Sequence, residues 1–247
     1  MEAMILAAGL GERLRPLTDR IPKALVPVRG KPLLGYVVDR VVAAGATRLV
    51  VNICAHSDQI ERWLAANTPP GIEVALSHES GHPLDTGGGL VHAAPLFQEG
   101  GPILIHAVDV LSRIPLGELV REHRDARRRL GDRLVATLAV QDRTSRRRLL
   151  FDDEGLMGWK GPDAERRVRR PAGPVRDVAF AGIHVVEPAL PGLSRRGGAF
   201  PIVELYLDLV ERGYVIRPMD VTGHEWLDVG TPERLEAAEA RMGARGL

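Results

Sequence analysis

Apolar residues along the first half of the chain come in two alternating rhythms. Ala3–Ala8, Arg48–Cys54, Ile72–His78 and Ile103–Val110 are short apolar runs of the length and β-rich character expected of buried strands. Between them lie stretches with apolar positions at helical spacing. Leu33–Ala44 places Leu34, Val37, Val38, Val41 and Val42 on one face and stops at Gly45. His56–Asn67 carries Ile60, Trp63 and Leu64, Gly89–Phe97 predicts a short helix, and Leu116–Leu130 an amphipathic, strongly basic one. Repeated strand–helix–strand units predict an α/β fold with a mostly parallel sheet covered on both faces. In such sheets ligands bind beyond the carboxyl ends of the strands, so the strand-to-loop junctions are where chemistry is sought.

The second half changes character. Leu134–Gln141 predicts a strand, and Leu149–Phe151 and Leu156–Trp159 flank Asp152-Asp153-Glu154-Gly155 like the arms of a hairpin. Gly161–Pro174 is polar, basic and broken by prolines, which predicts a mobile surface loop, and the arginines of Arg143–Arg148 and Arg166–Arg170 read as a solvated face more readily than as contacts to an anionic acceptor. Val178–Val186 and Tyr214–Pro218 follow as strands, with a helix around Ile202–Arg212. A last helix runs from Thr231 to Met242, with Thr231 as N-cap and Pro232 in the first helical position. No internal repeat is visible, so residues 1–247 are expected to form a single domain with no hexapeptide array behind it.

Composition narrows the partners. With 45% hydrophobic and 26% charged residues the chain is that of an ordinary globular domain, and a net charge of +1 gives no electrostatic reason to bind nucleic acid. No apolar run approaches the roughly 18 to 20 residues of a membrane span, and the N-terminus lacks a basic start and cleavage site. A cytoplasmic protein, monomeric or a small homo-oligomer, is the expectation. Cys54 lies in an apolar run, where a buried thiol is expected. Only Lys23, Lys31 and Lys160 are lysines among many arginines. Two of the three fall in one N-terminal segment, where a compact point charge could serve a phosphate.

That segment opens with Leu6-Ala7-Ala8-Gly9-Leu10-Gly11-Glu12-Arg13, directly after the first strand. Small residues and two glycines let backbone N–H groups approach phosphate oxygens, and Arg13 can add a charged fork. A dinucleotide fold would need a third small residue where Leu14 stands and an acid near Asn52-Ile53-Cys54. Gly30-Lys31 lacks the glycine spacing of a nucleotide P-loop, and Pro32 follows. His78-Glu79-Ser80-Gly81-His82 has zinc-protease spacing, but Gly81 and Pro83 break the helix that motif requires.

The continuation Pro22-Lys23-Ala24-Leu25-Val26-Pro27 makes Leu6–Leu33 resemble the signature of the sugar-1-phosphate nucleotidyltransferase family. In motif form the chain looks most like the N-acetylmuramate-1-phosphate uridylyltransferase branch, through Leu84-Asp85-Thr86-Gly87-Gly88-Gly89. The resemblance extends to Glu225-Trp226-Leu227-Asp228-Val229-Gly230-Thr231 and to Phe180-Ala181-Gly182, covering Met4 to about Glu239. It implies a Rossmann-like three-layer αβα sandwich around a mostly parallel mixed sheet, the GT-A-like nucleotidyltransferase fold.

It also implies roles. Leu6, Ala7, Ala8, Gly9, Gly11 and Arg13 would hold the triphosphate, with Glu79, Thr86, Gly87 and Gly88 around the nucleobase. Lys23 would lie between the α-phosphate and the acceptor phosphate. Asp109 and Asp228 would be the Mg2+ ligands, making Arg13, Lys23 and Asp109 the catalytic set. Gly182 and Glu204, with Lys23, would face the sugar 1-phosphate. The strand before Asp109 reads Ala107-Val108-Asp109, where the family has Asn-Gly-Asp. The activity implied is magnesium-dependent transfer from an NTP to a sugar 1-phosphate, releasing pyrophosphate. A cytidylyltransferase acting on a non-sugar phosphate such as phosphocholine, and a non-catalytic nucleotide-binding regulatory domain, share the front motif and stay open, as do base and sugar.

Overall fold

The computed structural model describes residues 1–98 and 100–245, so the last two positions of the expected single domain lie outside the described residues. Along the chain run β1 (Glu2–Leu6), the short hairpin β2 (Pro27–Val28) and β3 (Lys31–Pro32), α1 (Leu33–Ala43), β4 (Arg48–Ile53), α2 (Ser57–Asn67), β5 (Glu73–His78) and α3 (Asp85–Ala93). Then come β6 (Ile103–Ala107), β7 (Val110–Ser112), α4 (Leu116–Leu130), β8 (Leu134–Gln141), β9 (Arg148–Asp152), β10 (Gly155–Lys160) and β11 (Glu165–Arg167). The chain closes with β12 (Arg176–Val186), α5 (Ile202–Glu211), β13 (Val215–Asp220), β14 (Trp226–Asp228) and α6 (Pro232–Arg245).

The strands β5, β4, β1 and β6 lie side by side and parallel, which is what the right-handed strand–helix–strand crossovers of the first half produce. β12 joins β6 antiparallel, and β8 and β13, parallel to one another, continue beyond it. The expected mixed, mostly parallel sheet is therefore present. Pleat alternation builds three layers around it. Ala3 and Ile5 of β1 pack in one apolar cluster with α1, α2 and α4, whereas Met4 packs in a second cluster with α3 and α5.

Four local expectations need correction. The strand before Asp109 stops at Ala107, and Val108-Asp109 form a turn that sends β7 away from the sheet to pair with β14, a strand the periodicity did not reveal. The glycine-rich loop is already helix: α3 starts at Asp85, with Gly87, Gly88 and Gly89 inside it. The low helix propensity of glycine is outweighed there by packing too close for a side chain, as described below. Within Gly161–Pro174 the three residues of β11 pair with β10. Arg169 anchors the same stretch by donating to both oxygens of Asp152 and to the carbonyls of Leu156 and Gly155. Basic residues that looked like a solvated run instead find acids and carbonyls. Finally, Cys54 is only half-buried, at the end of β4.

Two histidines sit in this core uncharged. Burial holds the His184 imidazole down to about 3 and that of His106 to about 4. Both ring nitrogens of His184 lack a partner among the described residues, and its ring lies stacked on Phe180 and edge-on to Tyr206. In the unfolded chain both histidines take up protons below about pH 6.5, while the native state refuses them. Stability is thus unaffected by these groups above that pH and falls as pH drops from about 6.5 toward 4. Each contributes a slope of about 1.4 kcal/mol per pH unit. We expect His184→Phe, which keeps the ring packing and removes two unsatisfied nitrogens, to leave the melting temperature at pH 8 unchanged or raised and to roughly halve the acid-side slope. Denaturant titrations at pH 8, 6 and 4.5 measure both; an unaltered slope would contradict the assignment.

Candidate active site

The carboxyl ends of β1, β4 and β6 open into one cleft. Leu6, Ala8 and Gly9 line it on one side, Ala107, Val108 and Asp109 on another, and Glu79, Pro83, Asp85 and Thr86 on the third, with Lys23 and Asn52 at its base. Gly9 faces open space, so nothing of the protein occupies the volume a side chain would take there. Gly11 is different: it is left-handed (φ 67°), and a Cβ would come within 2.9 Å of the Thr18 methyl and 3.0 Å of Lys23 Cβ. This glycine lets the loop fold back on itself, fastened by the Thr18 hydroxyl donating to the Gly11 carbonyl at 2.8 Å. That fold-back carries Lys23 to the cleft, where its ammonium donates to the Asp109 carboxylate.

Asp109 is tied to the other end of the chain. The Val229 N–H donates to the Asp109 carbonyl at 2.8 Å, and Asp228 is the register partner of Val110. Asp109 and Asp228 therefore stand on neighbouring strand ends. The Asp228 Oδ2 accepts from Arg234, while its Oδ1 is buried with no partner among the described residues. A Cβ built on Gly230 would meet Asp228 Oδ1 at 2.7 Å and the Arg13 guanidinium at 2.8 Å, so Arg13 of the glycine loop reaches the same spot. The structure thus brings Arg13, Lys23, Asp109 and Asp228 into one neighbourhood.

On the opposite wall, the other expected residues serve packing. Glu79 is buried at 4% exposure, with Oε1 accepting from the Asn52 amide at 2.7 Å and Oε2 from the Leu84 N–H at 2.6 Å. The Asn52 carbonyl oxygen in turn accepts from the Ala7 N–H at 2.7 Å. A rigid chain of hydrogen bonds therefore joins the glycine loop to the Leu84–Thr86 segment, and Glu79 acts through it. Gly87 and Gly88 both donate their N–H groups to the Phe200 carbonyl, at 2.9 and 3.2 Å. A Cβ on Gly87 would strike the Phe200 ring at 2.4 Å, and one on Gly88 the Gly198 carbonyl at 2.3 Å. Those faces are closed by protein, and the open rim on this side of the cleft belongs to Pro83, Asp85 and Thr86.

Toward β12, Gly182 is left-handed (φ 74°) above the Asp109 turn, and a Cβ there would touch Val110 and Ala107 at 3.3 and 3.4 Å. Glu204 lines a separate hollow with Trp159, Phe180 and Pro201, but its carboxylate is engaged by Arg166 at 2.9 Å and Arg196 at 3.3 Å.

Asn52 and Asp85 were not singled out from the sequence. Asn52 had a visible signal, an amide interrupting an apolar strand. Asp85 stands where the family resemblance has glycine and keeps the left-handed backbone (φ 58°) that explains the preference.

The sequence profile described as "Nucleotidyl transferase" matches residues 2–244. The chain belongs to this nucleotidyltransferase family. Among its relatives is the N-acetylmuramate alpha-1-phosphate uridylyltransferase of Caulobacter vibrioides, 34% identical over 97% of this chain and 96% of that protein. The protein of the same name from Neisseria meningitidis is 34% identical over 99% of both chains. Of solved structures, the inositol-1-phosphate CTP transferase of T. maritima superposes with a TM-score of 0.74, covering 100% of this chain and 97% of that one at 17% identity, which speaks for the common nucleotidyltransferase fold.

Gly9 and Gly88 offer a sharp contrast. Gly9→Ala is expected to melt within about 2 °C of wild type, because its methyl meets open space, and to raise the KM for the triphosphate roughly tenfold if phosphates occupy that space, as the resemblance implies. Gly88→Ala, which collides with backbone, should lower the melting temperature by several degrees. Thermal melts and donor titrations on the two variants decide; equal donor KM for Gly9→Ala and wild type would remove Gly9 from the phosphate site.

Proposed function

We propose that the chain transfers a nucleotidyl group from a nucleoside triphosphate to a sugar 1-phosphate in a magnesium-dependent reaction, with UTP and N-acetylmuramate α-1-phosphate as the substrate pair. The carrying observation is the juxtaposition of Asp109 and Asp228 beside Lys23 and the glycine loop. The substrate pair is carried over from the relatives that are 34% identical over nearly the whole chain.

The residues present suit magnesium. Asp228 Oδ1 is a buried oxygen without a partner, and Asp109 keeps acceptor capacity beyond its bond to Lys23. Among the described residues no group of three or more His, Cys, Asp or Glu side chains is poised around one point. A two-carboxylate site is the kind magnesium uses when substrate phosphates and waters complete its octahedron. Asp109 and Asp228 would hold the ion, which when bound neutralises phosphate charge and fixes phosphate geometry.

An oxygen of the acceptor phosphate attacks the α-phosphorus, the bond from that phosphorus to the α–β bridging oxygen breaks, and pyrophosphate leaves with the oxygen. Such chemistry needs alignment and charge neutralisation more than a protein nucleophile. The glycine loop offers backbone N–H groups to the triphosphate, except that of Ala7, which Asn52 occupies. Lys23 has three donors and uses one on Asp109, leaving two for phosphate oxygens on either side of the reacting phosphorus. Arg13 stands by Gly230, where it can offset the charge of the departing pyrophosphate.

Pyrophosphate release from UTP, GTP, CTP and dTTP, each against N-acetylmuramate 1-phosphate, glucose 1-phosphate, mannose 1-phosphate and phosphocholine, tests the reading. The UTP and N-acetylmuramate 1-phosphate pair should be fastest. Chelation should abolish turnover and magnesium restore it. Asp109→Asn and Lys23→Ala should each lower kcat by roughly a hundredfold. Release with phosphocholine alone, or near-wild-type turnover in either variant, would overturn the proposal.

A further inference from the structure

Beside the paired carboxylates lies a half-buried guanidinium that the reaction as described does not use. Arg143 follows the end of β8 and lies over the ring of Trp226, its central carbon 3.7 Å from the ring centroid. One Nη donates to the Phe180 carbonyl at 3.0 Å, and Trp226 donates from its indole nitrogen to the neighbouring Ala181 carbonyl at 2.8 Å. Both anchors immediately precede Gly182, the residue that touches the Asp109 turn. The Nε of Arg143 is buried and has no partner among the described residues. Burial disfavours its charge, Asp228 favours it, and Arg234 and Arg148 disfavour it in turn.

A guanidinium held this way is costly unless an anion completes its shell. Asp228 is the nearby acid, and Arg234 already claims one of its oxygens. Around that single carboxylate gather Arg143, Arg234 and Arg13, so the spot carries surplus positive charge. The surplus suits phosphate-bearing ligands. Position says which one. The triphosphate belongs to the glycine loop and the Pro83–Thr86 rim, on the β1 and β4 side of Asp109. In-line displacement requires the nucleophile to approach the α-phosphorus from the side opposite the leaving pyrophosphate. The resemblance puts the acceptor with Gly182 on the β12 side, and Arg143 is anchored to the carbonyl of Phe180, two residues before that glycine.

We infer that Arg143 is the residue that grips the phosphate of the acceptor, held on the Trp226 face so that the Nη not used on Phe180 meets the incoming anion. The inference rests on the nucleotidyl-transfer reading above. It assigns a role in acceptor binding to the first member of an arginine-rich run that the sequence presented as a solvated face. Trp226 serves as the positioning residue beneath it, since its own hydrogen bond to Ala181 fixes the ring on which the guanidinium rests.

The test is a split of kinetic constants. Arg143→Met keeps an unbranched, polarizable side chain over the Trp226 ring and removes the charge. It should raise the acceptor KM by roughly tenfold to a hundredfold, in line with one lost charge-assisted contact, while the UTP KM stays within about twofold. Arg143→Lys, which returns a point charge, should recover part of the acceptor KM. Melting temperatures of both variants should stay within a few degrees of wild type. An unchanged acceptor KM in Arg143→Met overturns the assignment, as does a rise in the UTP KM instead. A loss of kcat together with a large fall in melting temperature and no selective acceptor effect would assign Arg143 to structure alone. Wild-type enzyme assayed alongside separates the two readings: if it releases no pyrophosphate with any sugar 1-phosphate, the transfer reaction itself fails, and titration of Arg143→Met and wild type with N-acetylmuramate 1-phosphate by calorimetry still decides whether Arg143 binds it.

Discussion

A backbone hydrogen bond from the Val229 N–H to the Asp109 carbonyl helps to join the two ends of the candidate site. It extends the short ladder of β7 and β14, and together they set Asp228 beside the Asp109 turn. Two carboxylates on adjacent strand ends repel one another unless positive charge is supplied. Lys23 meets the first and Arg234 the second, with Arg13 and Arg143 close by. The fold thus stores an anionic pair inside a cationic rim, the electrostatic shape that the proposed reaction asks of a site for two phosphate-bearing molecules. β7 leaves the main sheet, and among the described residues its strand partner is β14.

A second set of constraints links the walls of the cleft. The Phe200 carbonyl accepts the N–H groups of both Gly87 and Gly88, the Phe200 N–H donates to the Leu84 carbonyl, and Thr86 Oγ1 accepts from the Ile202 N–H at 2.9 Å. The start of α3 and the start of α5 are therefore one mechanical unit. Through Glu79 and Asn52 that unit continues to Ala7 in the glycine loop. The loop that would receive phosphates is positioned from behind by buried hydrogen bonds and keeps its outer face open at Gly9. Preorganisation of this kind limits the rearrangement that binding has to drive.

Most of the fold was legible because its strands are short apolar runs and its helices carry clean apolar stripes. β1, β4, α1 and α4 lie within a residue or two of where periodicity put them. Gly9, Gly11, Lys23, Asp109 and Asp228 were singled out for a different reason: they fall in stretches that resemble the family's motifs, which periodicity alone does not mark. What escaped were features set by contacts distant in sequence. The three-residue strand β14 has no periodicity of its own, and only its pairing with β7 makes it a strand. Gly87 and Gly88 were expected around a nucleobase, and the groups packed against them here are Phe200 and the Gly198 carbonyl, which no local pattern reveals. Glu204 sits on the expected side, yet its carboxylate is taken up by arginines from β11 and from Arg196, one of them in a stretch read as loop. Arg143 escaped because an arginine in a basic run looks solvated until the Trp226 ring is seen beneath it.

In the reaction proposed above, Asp109 and Asp228 share one divalent cation. Manganese binding followed by electron paramagnetic resonance in the presence of UTP, on wild type, Asp109→Asn, Asp228→Asn and the double variant, puts this to the test. If the two acids serve one site, each single substitution abolishes the tight manganese signal and the double variant adds nothing further. Wild-type manganese affinity in either single variant, or losses that add independently, would show that the carboxylates do not act on a common ion.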